Sequence, residues 1–130
     1  MVDFLKKELS MEFEDAVKRV EDISQEKGFG LLITKRLDKI FKEKMGVDYK
    51  KFAIILVCNP KFAKAALDVS IDVGLLFPCS FVVYEEEGKV FVAHASIMKI
   101  APEVGFAPKE KMQPVIESTG EAIHKIWDAL

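Results

Sequence analysis

The 130-residue chain has few of the residues that carry recognisable chemistry. It contains two cysteines, two histidines and one tryptophan. Only two of its basic residues are arginine, Arg19 and Arg36, against seventeen lysines, and Asn59 is its one asparagine beside Gln25 and Gln113. Each scarcity excludes something. Two cysteines without Cys-x-x-Cys spacing, and two histidines without His-x-x-x-His spacing, fall short of a closed tetrahedral zinc site. There is no Gly-x-Ser-x-Gly elbow, and Gly28-Phe29-Gly30 lacks the length and placement of a phosphate-binding loop. No cofactor motif is present.

Charge of one sign is also lacking. Nineteen basic and twenty-one acidic residues leave a formal charge of −2, too little field to draw in DNA or an anionic membrane. The basic run from Lys35 to Lys51 is interrupted by Asp38, Glu43 and Asp48, and so reads as a solvated face. The longest apolar run, Phe52 to Cys58, is far short of the roughly 20 residues that span a bilayer. Met1 to Ser10 alternates apolar with charged residues and has no signal-peptide core. The expectation is a cytoplasmic protein with no nucleic-acid or membrane partner. Thiols in that compartment are normally free, hyperthermophiles excepted. A Lys/Glu-rich composition with few amides is a mild sign of a heat-adapted source.

What is present suits a globular fold: half the residues are hydrophobic and 31% charged, in one domain over residues 1–130 without repeat or linker. Val2–Leu9 alternates as a strand. Ser10 offers an N-cap to a helix carrying Phe13, Ala16, Val17, Val20 and Ile23, which Gly28 stops. Phe29–Thr34 reads as a strand. Asp38 can cap a short helix that Gly46 ends. Phe52–Val57 has the continuous apolarity of a central strand covered on both faces, and Asn59-Pro60 is a cap and first residue for a helix through Ala63, Ala66 and Leu67.

Asp72–Pro78 reads as a loop. Cys79–Glu85 and Val90–Ala95, joined by Glu86-Glu87-Gly88-Lys89, predict a hairpin. Helix returns after Pro102 and Gly105 with an apolar stripe from Met112 through Val115, Thr119, Ile123 and Ile126 to Leu130; Pro108 suits its first turn, and Pro114 should kink or delay it. The order β-α-β-α-β-α-β-β-α predicts an α+β fold: a single, mainly antiparallel sheet with helices mainly on one face.

Chemistry concentrates at two corners. Cys58 ends an apolar strand just before a helix start, where unpaired backbone N–H groups and the helix dipole favour a thiolate. The bland alternative is a buried, inert cysteine. Asn59 suits the cap and carries an amide donor besides. Cys79 follows Pro78 and alternates with Phe81 and Val83, as a core cysteine would. The two thiols converge if their strands are antiparallel neighbours, and lie at opposite ends of the sheet if a right-handed crossover makes them parallel. His94, on the Val90 and Val92 side of the last strand, could join Cys58 and Cys79 as a metal ligand only with help from other groups. His124 lies on the final helix.

Gly28-Phe29-Gly30, Lys44-Met45-Gly46, Cys58-Asn59-Pro60 with Ala63 and Ala66-Leu67, and Gly74-Leu75-Leu76-Phe77-Pro78-Cys79 occur in an order that resembles the bacterial and archaeal family called domain of unknown function 302. The resemblance runs from the first helix to about Ala95. Phe77 replaces a common leucine, Ser80 a common asparagine, and Ser96-Ile97 an Asp-Pro that often follows the last strand. The resemblance implies a small α+β fold and a homodimer, and it supplies no activity, because the family is uncharacterised.

Three expectations follow. The first is a small-ligand site around Cys58, Asn59, Pro60, Pro78 and Cys79. The second is thiol redox or electrophile chemistry at Cys58. The third is a homodimeric interaction module in which the cysteines only pack.

Overall fold

In the computed structural model, which describes residues 4–130, five strands form one antiparallel sheet: β1 (Phe4–Leu9), β2 (Gly30–Arg36), β3 (Phe52–Cys58), β4 (Cys79–Glu86) and β5 (Lys89–Ala95). Their order across the sheet is β1-β5-β4-β3-β2, and every neighbouring pair is antiparallel. The helices are α1 (Phe13–Glu26), α2 (Leu37–Met45), α3 (Pro60–Val69), α4 (Ile97–Glu103) and α5 (Lys109–Ala129), with a 3₁₀ turn at Ile71–Leu76. The predicted α+β class and single antiparallel sheet hold, and the predicted succession of elements gains one helix, α4, before the last. The start of the first predicted strand, Val2 and Asp3, lies outside the described residues.

Local chemistry explains most boundaries. Glu87 and Gly88 take φ values of 52° and 77°, the left-handed pair that a two-residue hairpin turn needs to match strand twist. Gly28 ends α1 at φ 91°, a conformation that side chains with a Cβ resist. The Asn59 side chain accepts a hydrogen bond from the Lys61 N–H at 3.1 Å, with Pro60 as first residue of α3, satisfying one of the helix's orphan donors.

Several expectations are corrected. Ser10 does not cap α1; the helix begins two residues after Met11, with Glu12 at the cap position and no side-chain cap bond, and burial of Phe13 anchors it instead. Asp38 does not cap α2 either. Its carboxylate accepts from both Arg36 Nε and Nη2, at 2.9 and 2.8 Å, and from the Phe52 N–H at 3.2 Å. It therefore ties the start of α2 to the start of β3. β2 runs to Arg36, with a register shift between Leu31 and Ile33. The predicted loop over Asp72–Pro78 contains the 3₁₀ turn, and helix begins again at Ile97, with Pro102 inside α4. α5 starts at Lys109 and runs through Pro114. The carbonyl that loses a bond there belongs to Glu110 in the first turn, on the exposed side, where water can serve it.

The largest correction concerns β3. Ala53, Ile55 and Val57 are wholly buried, but Phe52, Ile54, Leu56 and Cys58 are only half-buried. The strand is interior to the sheet yet covered on one face alone. Alternation and register put Ile54, Leu56, Val82, Tyr84, Phe91 and Ala93 together on the open face. There Phe52, Tyr84 and Phe91 stack in a row with ring centroids 6.0 and 5.5 Å apart, and the Lys6 ammonium lies 5.3 Å from the centroids of Tyr84 and Phe91.

The interior holds two cores, one on the covered face of the sheet and one among the helices. One joins Phe13, Val20, Phe29, Ile55, Phe81 and Val92 to Ile123 and Ile126 of α5. The other joins Ala66, Val73, Met98 and Ala101 to Met112 and Val115 of α5. α5 thus bridges both, its N-terminal half in one and its C-terminal half in the other. Thr119 falls at the seam.

Candidate functional site

The antiparallel pairing of β3 with β4 sets Val57 opposite Cys79. Cys58 and Cys79 therefore occupy the same end of the sheet, where β3 gives way to α3 and β4 begins. Both are free thiols and half-buried. A cavity of about 30 Å³ opens between them, walled by Phe29, Val57, Cys58, Asn59, Phe62, Ala63, Phe77, Pro78, Cys79, Met98 and Thr119. That volume holds a water or two, or part of a small ligand. Of the five residues singled out at the corners, Cys58, Asn59, Pro78 and Cys79 line this cavity. Pro60 does not; it serves as the first residue of α3.

Each wall has a reason to be where it is. The Asn59 side-chain oxygen is engaged in the cap, and an added Cβ on Gly28 would come within 3.7 Å of its amide nitrogen, so the α1 terminus and the α3 start meet here. Phe29 and Phe62 face one another with ring centroids 6.1 Å apart. The Phe77–Pro78 peptide is cis. Burial, reinforced by the neighbouring Cys58, pushes the Cys79 thiol up to about 11. That shift favours the protonated thiol at neutral pH.

His94 lines a different cavity, of about 80 Å³, with Leu5, Ser96, Lys99, Thr119, Gly120, Ile123 and His124. Among the described residues no group of three or more His, Cys, Asp or Glu side chains could hold a metal ion; Cys58 and Cys79 share one cavity and His94 lines the other. Sequence reasoning missed Phe62, Met98 and Thr119 as walls, and it missed the association of His94 with His124, Lys99 and Ser96. One signal was available: Thr119 is the polar member of the α5 stripe.

The fold and the corner motifs agree with an independent comparison. The model of the family described as "Domain of unknown function DUF302" matches residues 5–130. The chain belongs to that family. Its fold is also that of a solved family structure, the crystal structure of an uncharacterised conserved DUF302 protein from Bacillus stearothermophilus. That protein is 22% identical, with a TM-score of 0.85 over 97% of this chain and 96% of that one. No match is found among curated proteins. Among the described residues no helix is long and apolar enough to cross a membrane.

Proposed function

We propose that the protein binds a small ligand at the cavity bounded by Cys58, Asn59, Pro78 and Cys79. The observation that carries this reading is the convergence of both cysteine corners on one largely apolar cavity at the seam of two cores. A hydrophobic pocket with a few convergent polar groups is the usual form of a small-molecule site. Cys79, protonated at neutral pH, favours a binding role for the pair over redox exchange. Free thiols fit a reducing, cytoplasmic setting.

A fragment panel followed by methyl NMR tests the reading. Saturable shifts at Ala63, Met98 and Val57, lost when Ala63→Leu fills the space, are the expected result. A panel of several hundred small apolar fragments that moves none of these signals would sink it.

A second copy of the chain is the partner we propose for the open sheet face. The support is the row of Phe52, Tyr84 and Phe91 beside Ile54, Leu56 and Val82, apolar residues left partly exposed on this face. Exposed apolar patches of this kind mark interaction sites, and a two-fold pairing of identical faces is the commonest solution. Light scattering should give twice the 14.7 kDa of one chain.

A further inference from the structure

The second cavity has a floor unlike that of the first. His94 is 6% exposed, and its Nδ1 lies 2.7 Å from the Ser80 carbonyl oxygen. A carbonyl only accepts, so Nδ1 carries the proton and the neutral ring keeps a free acceptor at Nε2. The ring stacks on Phe81 at 4.7 Å between centroids, which holds its orientation. Thr119, 4% exposed, has a fully buried hydroxyl with no hydrogen-bond partner. A buried hydroxyl left unpaired costs free energy and calls for a missing partner.

The mouth has the opposite character. Lys99 from α4 and His124 from α5 line it and are exposed, with Ser96 beside them. The Ser96 oxygen accepts from the Lys99 N–H at 3.3 Å, which leaves its own O–H free to donate. Leu5 and Ile123 supply apolar walls. An added Cβ on Gly120 would meet nothing within 4 Å, so the helix backbone itself leaves room. The site therefore pairs an uncharged acceptor at the floor and a cation at the rim with an unpartnered hydroxyl in the wall shared with the first cavity.

We infer that this cavity binds a short hydroxy acid. The ligand hydroxyl donates to His94 Nε2 and accepts from the Thr119 hydroxyl. Its carboxylate faces Lys99 and the Ser96 hydroxyl, and its short carbon chain lies against Leu5 and Ile123. A simple carboxylate would leave the His94 acceptor without a donor. A phosphate lacks the carbon chain for the apolar walls. The ligand contacts proposed here are separate from those at the cysteine cavity, and only Thr119 borders both.

The test is a titration of the labelled protein with lactate, propionate and inorganic phosphate at constant ionic strength, following the ring signals of His94 and His124. Lactate should produce saturable shifts with an affinity roughly five- to tenfold above propionate, the worth of about one net hydrogen bond. Lys99→Gln, at an exposed position, should weaken lactate. Thr119→Val, which keeps the shape and removes the hydroxyl, should bring lactate down towards propionate. Shifts that grow linearly with concentration, equal affinities for lactate and propionate, tighter binding of phosphate, or indifference to Lys99→Gln would each overturn the assignment. Signals of Ala63 and Met98 report the cysteine cavity in the same spectra, so failure at one site is read separately from failure at the other.

Discussion

Ile55 and Leu56 are neighbours on β3, similar in size and hydrophobicity, yet one is wholly buried and the other is not. The covered face of the sheet meets α1 and α5 through a continuous core. The open face presents an equally apolar centre with Phe4 and Ile33 exposed at its margins. Apolarity alone thus does not report which surface a chain buries by itself. The covered face is saturated within one molecule. The open face carries hydrophobic surface that its own helices do not use, and this excess motivates the proposed second copy.

Direct tests separate the two faces. Ile55→Ala should lose about 2–5 kcal/mol in urea unfolding, the usual cost of a truncated core side chain and its cavity. Leu56→Ala should cost about 1 kcal/mol or less in the isolated chain, because partial exposure already forfeits much of the transfer energy. Equal losses at both positions would mean that the open face is as fully buried in solution as the covered one.

A charge sharpens the comparison next. Val82→Lys places an ammonium at the centre of the open face, between Ile54 and Ala93. It should halve the mass seen by light scattering while leaving the far-ultraviolet circular dichroism unchanged. If the unaltered protein already runs as a single chain, the second copy is ruled out.

Asn59→Ala touches neither face and calibrates both. Loss of its cap bond to Lys61 should cost about 1 kcal/mol, readable as a shift in the urea midpoint. A loss above that of Ile55→Ala would show that the α1–α3 meeting point outweighs the core.

The smallest effect is a slope with pH. Burial holds the His94 imidazolium below its ordinary range; the Ser80 carbonyl opposes that shift and His124 adds to it. The unfolded chain therefore takes up this proton first as pH falls through about 6.5. The stability present above that pH declines as pH drops, levelling only when the folded imidazole also titrates. Lys99 and His124 are the ionisable groups facing His94 across the cavity. Melting temperature followed from pH 8 to 5 should fall less steeply in His94→Gln; identical curves would mean that other groups set the slope.

Much of this arrangement was legible in the chain. The hairpin around Glu87-Gly88, the stops at Gly28 and Gly46, and the Asn59-Pro60 helix start depend on backbone preferences within a few residues, so the residues themselves announce them. Helix starts at Phe13 and Leu37 carry no such local signal, because packing and an ion pair, rather than a side-chain cap, secure them. The cysteine corners were visible as interruptions of apolar runs. Their convergence was not, because it depends on whether a long connection returns the chain antiparallel or parallel.

By itself, then, the sequence determined the class, most of the succession of elements, the absence of a strong charge field and the chemical identity of the corners. These are properties of composition and short-range order. Tertiary structure alone decided that β4 lies antiparallel to β3, so that two thiols 21 positions apart share one cavity. It also decided that one face of an apolar strand stays open, and that Thr119 and His94, far apart in the chain, meet beside Lys99 and His124. The physical reason is that hydrophobic patterning specifies how much surface must leave water, while register and helix placement select which surface does.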